Sequence, residues 1–201
     1  MTDLTNQSPI DLLLTRRSVK PHELSAPGPG AEDLDTILRA AIRVPDHGKL
    51  APWRVQIFDK AAQVAFGDAL GRIYAADNPG KPESAIEIER QRPQRAPCLL
   101  AVSAKLDPLH KIPMMEQQLS GGAFCQNLLN AAYALGYAGQ WLTEWPAYHA
   151  SVKAELGLSA DTPIIGFIYL GTASALPADR PRPEPSAVAQ PWTPAASNRA
   201  A

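Results

Sequence analysis

The first quarter of the chain carries two helical patterns separated by a loop. A first helix is predicted from Pro9 to about Thr15, because Ser8 can cap the first turn and Pro9 fits its first position. Residues 24–30 are rich in proline and glycine and are predicted to be a loop. A second, amphipathic helix follows and ends before Pro45. Its apolar residues recur at helical spacing: Leu34, Ile37, Leu38 and Ala41.

Four segments have the pattern of strands. Trp53, Val55 and Ile57 alternate with polar residues, which predicts a strand with one apolar face against a core. Residues 98–104 form a short apolar run, which favours a buried strand over a helix. Residues 139–142 predict a brief strand, and residues 164–170 predict the last strong one.

The other patterned segments predict helices, which therefore outnumber the strands. They are residues 63–75, a short charged helix at 84–92, a long helix opened by Pro113, and residues 147–156. Between residues 123 and 135 almost every face of the long helix is apolar, so we expect its own subunit or a second one to enclose it. Because no Gly-rich turn of a Rossmann unit follows the first strand, an α+β sandwich is the predicted fold.

A proline-rich tail follows the last predicted strand. Six of the 29 residues from 173 to 201 are proline, and they show little apolar periodicity. Such a segment cannot build a core of its own. We predict one globular domain over residues 1–172 and an extension over residues 173–201 that is either disordered or lies on a partner.

Composition and charge argue against several classes of protein, including nucleic-acid-binding and membrane proteins. Hydrophobic residues make up 45% of the chain and the formal net charge is -1, which fits a globular protein and argues against nucleic-acid binding. Residues 1–7 lack the apolar stretch of a signal peptide, and no membrane span is apparent, so we expect a cytoplasmic protein. Cys98 and Cys125 are predicted to be buried free thiols, and no histidine has a second ligand at metal-binding spacing.

Two segments carry cations that could bind an anionic ligand. Arg16, Arg17 and Ser18 follow the first helix, where two guanidinium groups and a hydroxyl could converge on a phosphate or a ring oxygen. Arginines at a helix end can equally complement the helix dipole in water. A dense loop at residues 45–53 holds His47 and Lys49, and such loops often carry binding groups. Its Trp53 could instead belong to the core.

A third segment, residues 139–146, places two aromatic rings and a hydroxyl between a strand and a helix. Trp141 and Trp145 could face a flat ligand or could cap the hydrophobic core. Both interpretations stay open from the residues alone.

Taken together and in this order, these segments resemble the nitroreductase family. The shared pieces are an Arg-Arg-Ser after the first helix, a Pro-Asp-His-Gly-Lys-Leu-x-Pro-Trp loop, and a late Gly-x-Trp followed by Thr. The resemblance covers roughly residues 9–172 and is strongest to the minimal members of the family. It implies an α+β sandwich with a central mixed or antiparallel sheet flanked by helices, in an intertwined homodimer that holds FMN at its interface.

The resemblance also implies roles for single cationic residues. Arg16, Arg17 and Ser18 look like contacts to the phosphate, ribityl chain and ring of FMN, and Arg43 looks like a further contact near the phosphate. His47 resembles the residue that the second subunit offers to the flavin. Arg16 and Lys49 are then candidates for the cations beside the pyrimidine side of the flavin ring.

Two further parts of the chain gain a role in the same way. Trp141, Leu142 and Thr143 align with the segment that passes beside the flavin in the same subunit. Because minimal members can carry arginine where this chain has Leu142, a backbone contact is implied there rather than a side-chain one. Family members with a C-terminal arginine often use it on the phosphate, a role open here to Arg180 or Arg182.

The implied activity is that of an FMN oxidoreductase with NADH or NADPH as co-substrate. In a ping-pong cycle, a reduced nicotinamide gives hydride to the flavin, and a nitroaromatic, quinone or similar acceptor then takes two electrons in the same slot. Because the cofactor carries this chemistry, no catalytic side chain is assigned. Two other classes stay open: a non-enzymatic FMN carrier or redox sensor, and a helical dimeric scaffold whose arginines only coat the surface.

Overall fold

The structure is a computed structural model that describes residues 8–193. The N-terminal residues 1–7 and the end of the extension, residues 194–201, lie outside the described part of the chain. None of the described helices is both long enough and apolar enough to cross a membrane. The elements are, in chain order, α1 (Pro9–Thr15), β1 (Leu24–Ser25), α2 (Ala31–Ala41), β2 (Trp53–Phe58), α3 (Lys60–Asp77), α4 (Glu83–Gln91), β3 (Cys98–Ala104), α5 (Met114–Ala134), β4 (Ala138–Leu142), α6 (Ala150–Glu155), β5 (Ile164–Ala173) and α7 (Pro185–Val188).

The five strands form one sheet, and every strand pair in residues 8–193 is antiparallel. β3 lies between β2 and β5, while β4 and the short β1 also pair with β5. β3 is buried at all of its positions, which explains why all of its residues but Ser103 are apolar. Of the two sheet types that the resemblance implied, the antiparallel one is present.

Helices cover both faces of the sheet, so the predicted α+β sandwich is confirmed. On one face, α2 and α5 pack against Leu100 of β3 and Ile168 of β5. On the other face, α3 and α6 pack against Leu99 and Phe167, the neighbours of those residues along the same strands. Successive side chains of a strand point to opposite faces, and both faces are apolar here because both are covered.

The long helix α5 is enclosed for most of its length, as its sequence predicts. Its inward side chains are fully buried: Phe124, Cys125, Leu128, Leu129 and Ala132. Within residues 123–135 only Ala134 is exposed. The chain's own sheet and α2 therefore account for most of this enclosure without a second subunit.

Three local predictions differ from the structure. Leu24 and Ser25 lie in the predicted loop but form β1, since they pair with the far end of β5. The helix predicted at residues 147–156 is only α6, because a short 3-10 turn precedes it and His149 caps its first turn. Ile57 is 54% exposed, although its alternation with polar residues predicted a core contact for it.

A buried ion pair joins α4 to the segment that follows it. Arg92 donates two hydrogen bonds to Glu89, from Nε to Oε2 at 2.6 Å and from Nη2 to Oε1 at 2.8 Å. Burial by itself would raise the pKa of Glu89, but hydrogen bonds from Arg92 and Trp145 outweigh it and hold that pKa below its usual 4.5. The charged form of Glu89 is therefore part of the folded state.

The two cysteines provide a test of the core. Burial raises the pKa of the Cys98 thiol to about 11 and that of Cys125 to about 12. Since the thiolate is the reactive form, we expect neither to react with Ellman's reagent at about pH 8 in the folded protein. Both should react after denaturation in guanidinium chloride. Fast reaction of either thiol in the native protein would contradict the buried placement.

The Glu89 pair predicts a pH-dependent stability. Because the folded-state pKa of Glu89 is lowered, its contribution is complete above about pH 4.5 and is lost as the pH falls through the folded value. We expect Glu89→Gln to lower the free energy of unfolding by about 3 kcal/mol at neutral pH, since the buried Arg92 loses one of its two carboxylate partners and keeps only Glu144. The deficit should shrink below about pH 4.5. Urea unfolding at several pH values measures it.

The exposed pair of Glu155 with Arg72 supplies the control for this experiment. Glu155→Gln should change the stability little at any pH, because exposed ion pairs contribute only about 0 to 1 kcal/mol. A Glu89→Gln deficit that stays constant between neutral and acidic pH would contradict the assignment.

Candidate functional site

The arginine segment after α1 is held against the end of α5 and the start of β4. The Val19 backbone N–H donates to the Gly139 carbonyl at 3.2 Å, which ties the segment to β4. The Arg16 guanidinium lies 5.6 Å from the centre of the Tyr133 ring, a cation–π contact. The Tyr133 hydroxyl donates to the carbonyl of Arg17. Residues that are distant in sequence thus hold this segment from two sides.

Two guanidinium nitrogens in this segment are buried without a hydrogen-bond partner. They are Nη1 of Arg16 and Nη1 of Arg17. Leaving a buried charged donor unpaired costs more than the about 1 to 3 kcal/mol typical of a neutral group. An anion with several acceptor oxygens would satisfy both nitrogens, so these two residues fit a phosphate group. Ser18 beside them is exposed.

The C-terminal extension reaches the same place. Asp179 lies 3.6 Å from Arg17 Nη1 and 3.9 Å from Arg182 Nη2. A hydrogen bond from the backbone N–H of Arg180, together with the charges of Arg182 and Arg17, lowers the pKa of Asp179. The Asp179 carboxylate therefore already occupies one side of Arg17 and brings Arg182 close to it.

At the end of β4, Trp141 and Leu142 pack against the protein interior, whereas the next residue, Thr143, faces a cleft. Trp141 donates from Nε1 to the Ile165 carbonyl at 2.9 Å, and its indole lies so close to Gly166 that a Cβ there would collide with it. Trp141 and Leu142 are partly buried against the two cores, which supports the core interpretation of Trp141. Thr143 instead lines a cleft of about 470 Å³ together with apolar residues such as Leu119. This size suits a small ligand.

Trp145 has a structural role. Its Nε1 donates to Glu89 at 2.8 Å, and its ring centre lies 6.0 Å from that of Tyr74. Because both its polar tip and one ring face are occupied, the interpretation of Trp145 as a flat surface for a ligand is not supported.

Between Thr143 and Trp145, Glu144 has an unusual backbone. Its φ is 51° and its ψ is -173°, a region that residues with a Cβ rarely adopt and that costs about 1 to 3 kcal/mol. Its carboxylate is held by ion pairs with Arg92 at 2.5 Å and Arg95 at 3.4 Å. Sequence reasoning missed all three residues, since no local pattern links a glutamate at 144 to arginines about fifty positions earlier.

The loop at residues 45–53 is anchored on α5. Ser120 Oγ donates to the Pro45 carbonyl at 2.6 Å, and Trp53 Nε1 donates to the same hydroxyl at 3.1 Å. Trp53 is therefore a packing residue. Asp46 accepts hydrogen bonds from the backbone N–H groups of Leu50 and Ala51, which closes the loop on itself.

This closed loop presents its two candidate side chains to solvent. Lys49 is exposed and has a φ of 56°, so the backbone there is in the left-handed region. His47 is exposed and contacts Glu116, in the first turn of α5, with 2.8 Å between Nδ1 and Oε2. Arg43 is also exposed, just beyond α2. All three side chains are accessible to a ligand or a second chain, although His47 is also held by Glu116.

The arginine segment and the His47 loop lie near opposite ends of α5. Arg16 stacks on Tyr133 near the C-terminal end, whereas His47 contacts Glu116 near the N-terminal end. At about 1.5 Å of rise per residue, these two anchor points are roughly 25 Å apart along the helix axis. One chain thus brings Arg16 and Arg17 to β4 but leaves His47 well away from them.

In residues 8–193, no three His, Cys, Asp or Glu side chains cluster as metal ligands would.

Comparisons with known proteins agree with this architecture. The chain is 37% identical over 169 residues to the Escherichia coli (strain K12) protein "Putative NAD(P)H nitroreductase YdjA", covering 81% of this chain and 87% of that protein. The fold matches a nitroreductase-like family protein from Bacillus cereus with a TM-score of 0.82 and 21% identity, covering 96% and 98% of the two chains.

A second solved structure is similar over most of the chain. It is the NADPH:FMN oxidoreductase from Vibrio harveyi complexed with NAD+, with a TM-score of 0.69, 17% identity and coverage of 94% of this chain and 79% of that one. The model of the Nitroreductase family matches residues 13–172, which include β1 to β4 and β5 up to its penultimate residue. Since that match spans most of the sequence, the chain belongs to the nitroreductase family.

Proposed function

We propose that the chain is an FMN-dependent oxidoreductase that uses NADH or NADPH to reduce electron-poor acceptors such as nitroaromatics or quinones. The observation that carries this proposal is the pair of buried guanidinium nitrogens of Arg16 and Arg17 beside β4. Neither nitrogen makes a hydrogen bond, although Asp179 lies 3.6 Å from that of Arg17. The relatives support it by name, one as an NAD(P)H nitroreductase and one as an NADPH:FMN oxidoreductase. A cytoplasmic location and a domain boundary near residue 172 remain part of the proposal.

The residues near β4 would hold the flavin. Arg16 and Arg17 would bind its phosphate and ribityl oxygens through their free nitrogens, with Ser18 as an exposed hydroxyl beside them. Thr143 lines the cleft and would contact a ligand there, and Leu142 would contribute only its backbone. Arg182 fits a further phosphate contact better than Arg180, because Arg182 shares Asp179 with Arg17.

The protein's contribution would be to bind, orient and balance charge. When bound, FMN supplies the redox chemistry, taking a hydride from a nicotinamide and passing two electrons to the acceptor in a ping-pong cycle. Cations near the ring stabilise the negative charge that grows on reduction, and Lys49 is the candidate for this role once Arg16 is assigned to the phosphate and ribityl oxygens. No side chain needs to act as a nucleophile or general base.

A second copy of the chain would complete the site. Arg43, His47 and Lys49 are exposed, and His47 lies near the end of α5 opposite to Arg16. If the α5 helices of two copies run antiparallel, the His47 loop of one copy approaches the arginine segment of the other.

Apolar surface for such a homodimer is available around α5. Several large side chains on α1, β2 and α5 and just beyond α2 are more than half exposed in the single chain: Ile10, Leu13, Leu14, Ile42, Ile57, Met115 and Leu119. Since α1, α2 and β2 all contact α5, a second chain packed there would cover these side chains. An intertwined homodimer would bury them and would also give Ile57 the apolar contact that its alternating pattern predicts.

The first test is the absorbance spectrum of the purified protein, with the released chromophore identified by chromatography. About one FMN per chain, together with acceptor-dependent oxidation of NADH or NADPH, is the expected result. FMN without turnover would indicate a flavin carrier or sensor instead. Failure to bind added FMN would overturn the proposal.

Arg17→Ala tests the phosphate assignment. Losing a charge-assisted contact of about 1.5 to 3 kcal/mol should weaken FMN binding by roughly ten- to a hundredfold. Titration of the apoprotein, followed by quenching of flavin fluorescence, measures the dissociation constant. Arg72→Ala, which removes an exposed arginine paired with Glu155, is the matched control and should bind FMN normally. Equal affinity of the Arg17→Ala variant and the wild type would rule out the assignment.

A mixed dimer tests whether the site is shared. Arg17→Ala and His47→Ala chains with different tags are co-expressed and the mixed dimer is isolated. If each site takes Arg17 from one chain and His47 from the other, one of the two sites is intact and about half of the flavin binds with wild-type affinity. If both residues serve the same site within one chain, every site is damaged and no wild-type binding remains.

A further inference from the structure

The conformation at the end of β4 is maintained against a backbone penalty. Glu144 has the positive φ described above, directly after Thr143, which lines the cleft. Glycine adopts such backbone angles freely, whereas a residue with a Cβ does so only when its surroundings hold it there. The side chain of Glu144 must therefore supply the restraint that a glycine would not need.

The restraint is an ion-pair network built on α4 and the segment after it. Arg92 contacts the Glu144 carboxylate at 2.5 Å and is itself held by two hydrogen bonds to Glu89. Trp145 donates to Glu89 at 2.8 Å, and the Tyr169 hydroxyl donates to the Arg92 carbonyl at 3.2 Å. The Arg92 side chain is only 10% exposed, so it cannot follow Glu144 if that residue moves.

The charges of this network are balanced. Glu89 and Glu144 face Arg92 and Arg95, two carboxylates against two guanidinium groups. Burial opposes the charged form of Arg92, but hydrogen bonds and the charges of the two glutamates raise its pKa above the ordinary value. Arg92 therefore stays charged in the folded protein and remains available to pair with Glu144.

We propose that Glu144 is a positioning residue: its ion pairs with Arg92 and Arg95 hold the left-handed turn that aims Thr143 and the end of β4 at the flavin. The inference rests on the proposed function, because it assumes FMN beside Thr143. Glu144 acts on the ligand through the backbone of its neighbour. A purely stabilising ion pair would make the fold more resistant to unfolding without affecting how the folded protein holds FMN.

Two substitutions at one position separate these roles. Glu144→Ala removes the ion pairs, while alanine still disfavours the positive φ because it has a Cβ. We therefore expect the backbone to move away from this conformation and Thr143 to shift. We expect FMN to bind about tenfold more weakly, which corresponds to about 1.4 kcal/mol. Glu144→Gly loses the same ion pairs, but glycine tolerates the turn. It should restore FMN binding to within about threefold of wild type.

The readouts are the FMN dissociation constant, the visible circular dichroism of the bound flavin and the urea midpoint of the apoprotein. Glu155→Ala, at the exposed pair with Arg72, is the control and should leave all three unchanged. The dichroism should change in Glu144→Ala and return towards wild type in Glu144→Gly. The urea midpoint should be higher for Glu144→Gly than for Glu144→Ala, since only alanine pays the backbone penalty.

Two results would overturn the inference. One is wild-type FMN affinity in Glu144→Ala, and the other is equally weak binding in the alanine and glycine variants. A wild-type protein that binds no FMN fails at an earlier step, before any variant is compared, and overturns the proposed function itself.

Discussion

Packing of α5 against the central strands β3 and β5 is the interaction on which the rest of the structure depends. Phe124 and Leu128 of α5 are fully buried against this sheet, each contributing about 1.5 to 3 kcal/mol relative to exposure. The same helix carries Tyr133, on which Arg16 stacks, and Glu116, which His47 contacts. The position of α5 therefore determines where both groups of candidate ligand residues lie.

Charged side chains are used in two contrasting ways in this molecule. Around Glu89 and Arg92 every charge faces an opposite charge, and the network holds a strained turn. At Arg16 and Arg17, one buried nitrogen of each guanidinium makes no hydrogen bond, which is unfavourable unless a ligand binds there. The paired network suits a structural role, and the arginines with unfilled hydrogen-bond positions suit an anionic ligand.

The strand β4 connects the arginine segment with the ion-pair network around Glu144. Its first half is tied to the arginine segment through Val19, and its last residue leads through Thr143 to Glu144. A ligand held by Arg17 and contacted by Thr143 would thus lie along a strand that is fixed at both ends. For a flavin enzyme this rigidity is useful, because rates depend on how closely the reacting groups are placed. The chain belongs to the nitroreductase family, and the family match covers all of β4.

Local patterns in the sequence were enough to predict the main elements. The Ser8 cap and Pro9 predicted α1, apolar residues at helical spacing predicted α2, and a short apolar run predicted β3. The enclosed stretch of α5 was apparent from its composition. The sequence also indicated the arginine segment and the His47 loop as candidate ligand-binding segments. These signals are short in range, since they depend on residues within one or two turns of helix or one strand.

The tertiary structure alone decided the rest. Pairing of Leu24 with Ala173 makes β1 out of a segment that looks like a loop, and the contact of Glu144 with Arg92 joins distant positions. The separation of Arg16 from His47 likewise follows from where each segment meets α5. Contacts between residues far apart in the chain leave no periodic trace in the sequence, so only the packed fold, in which burial and charge pairing are settled together, determines them.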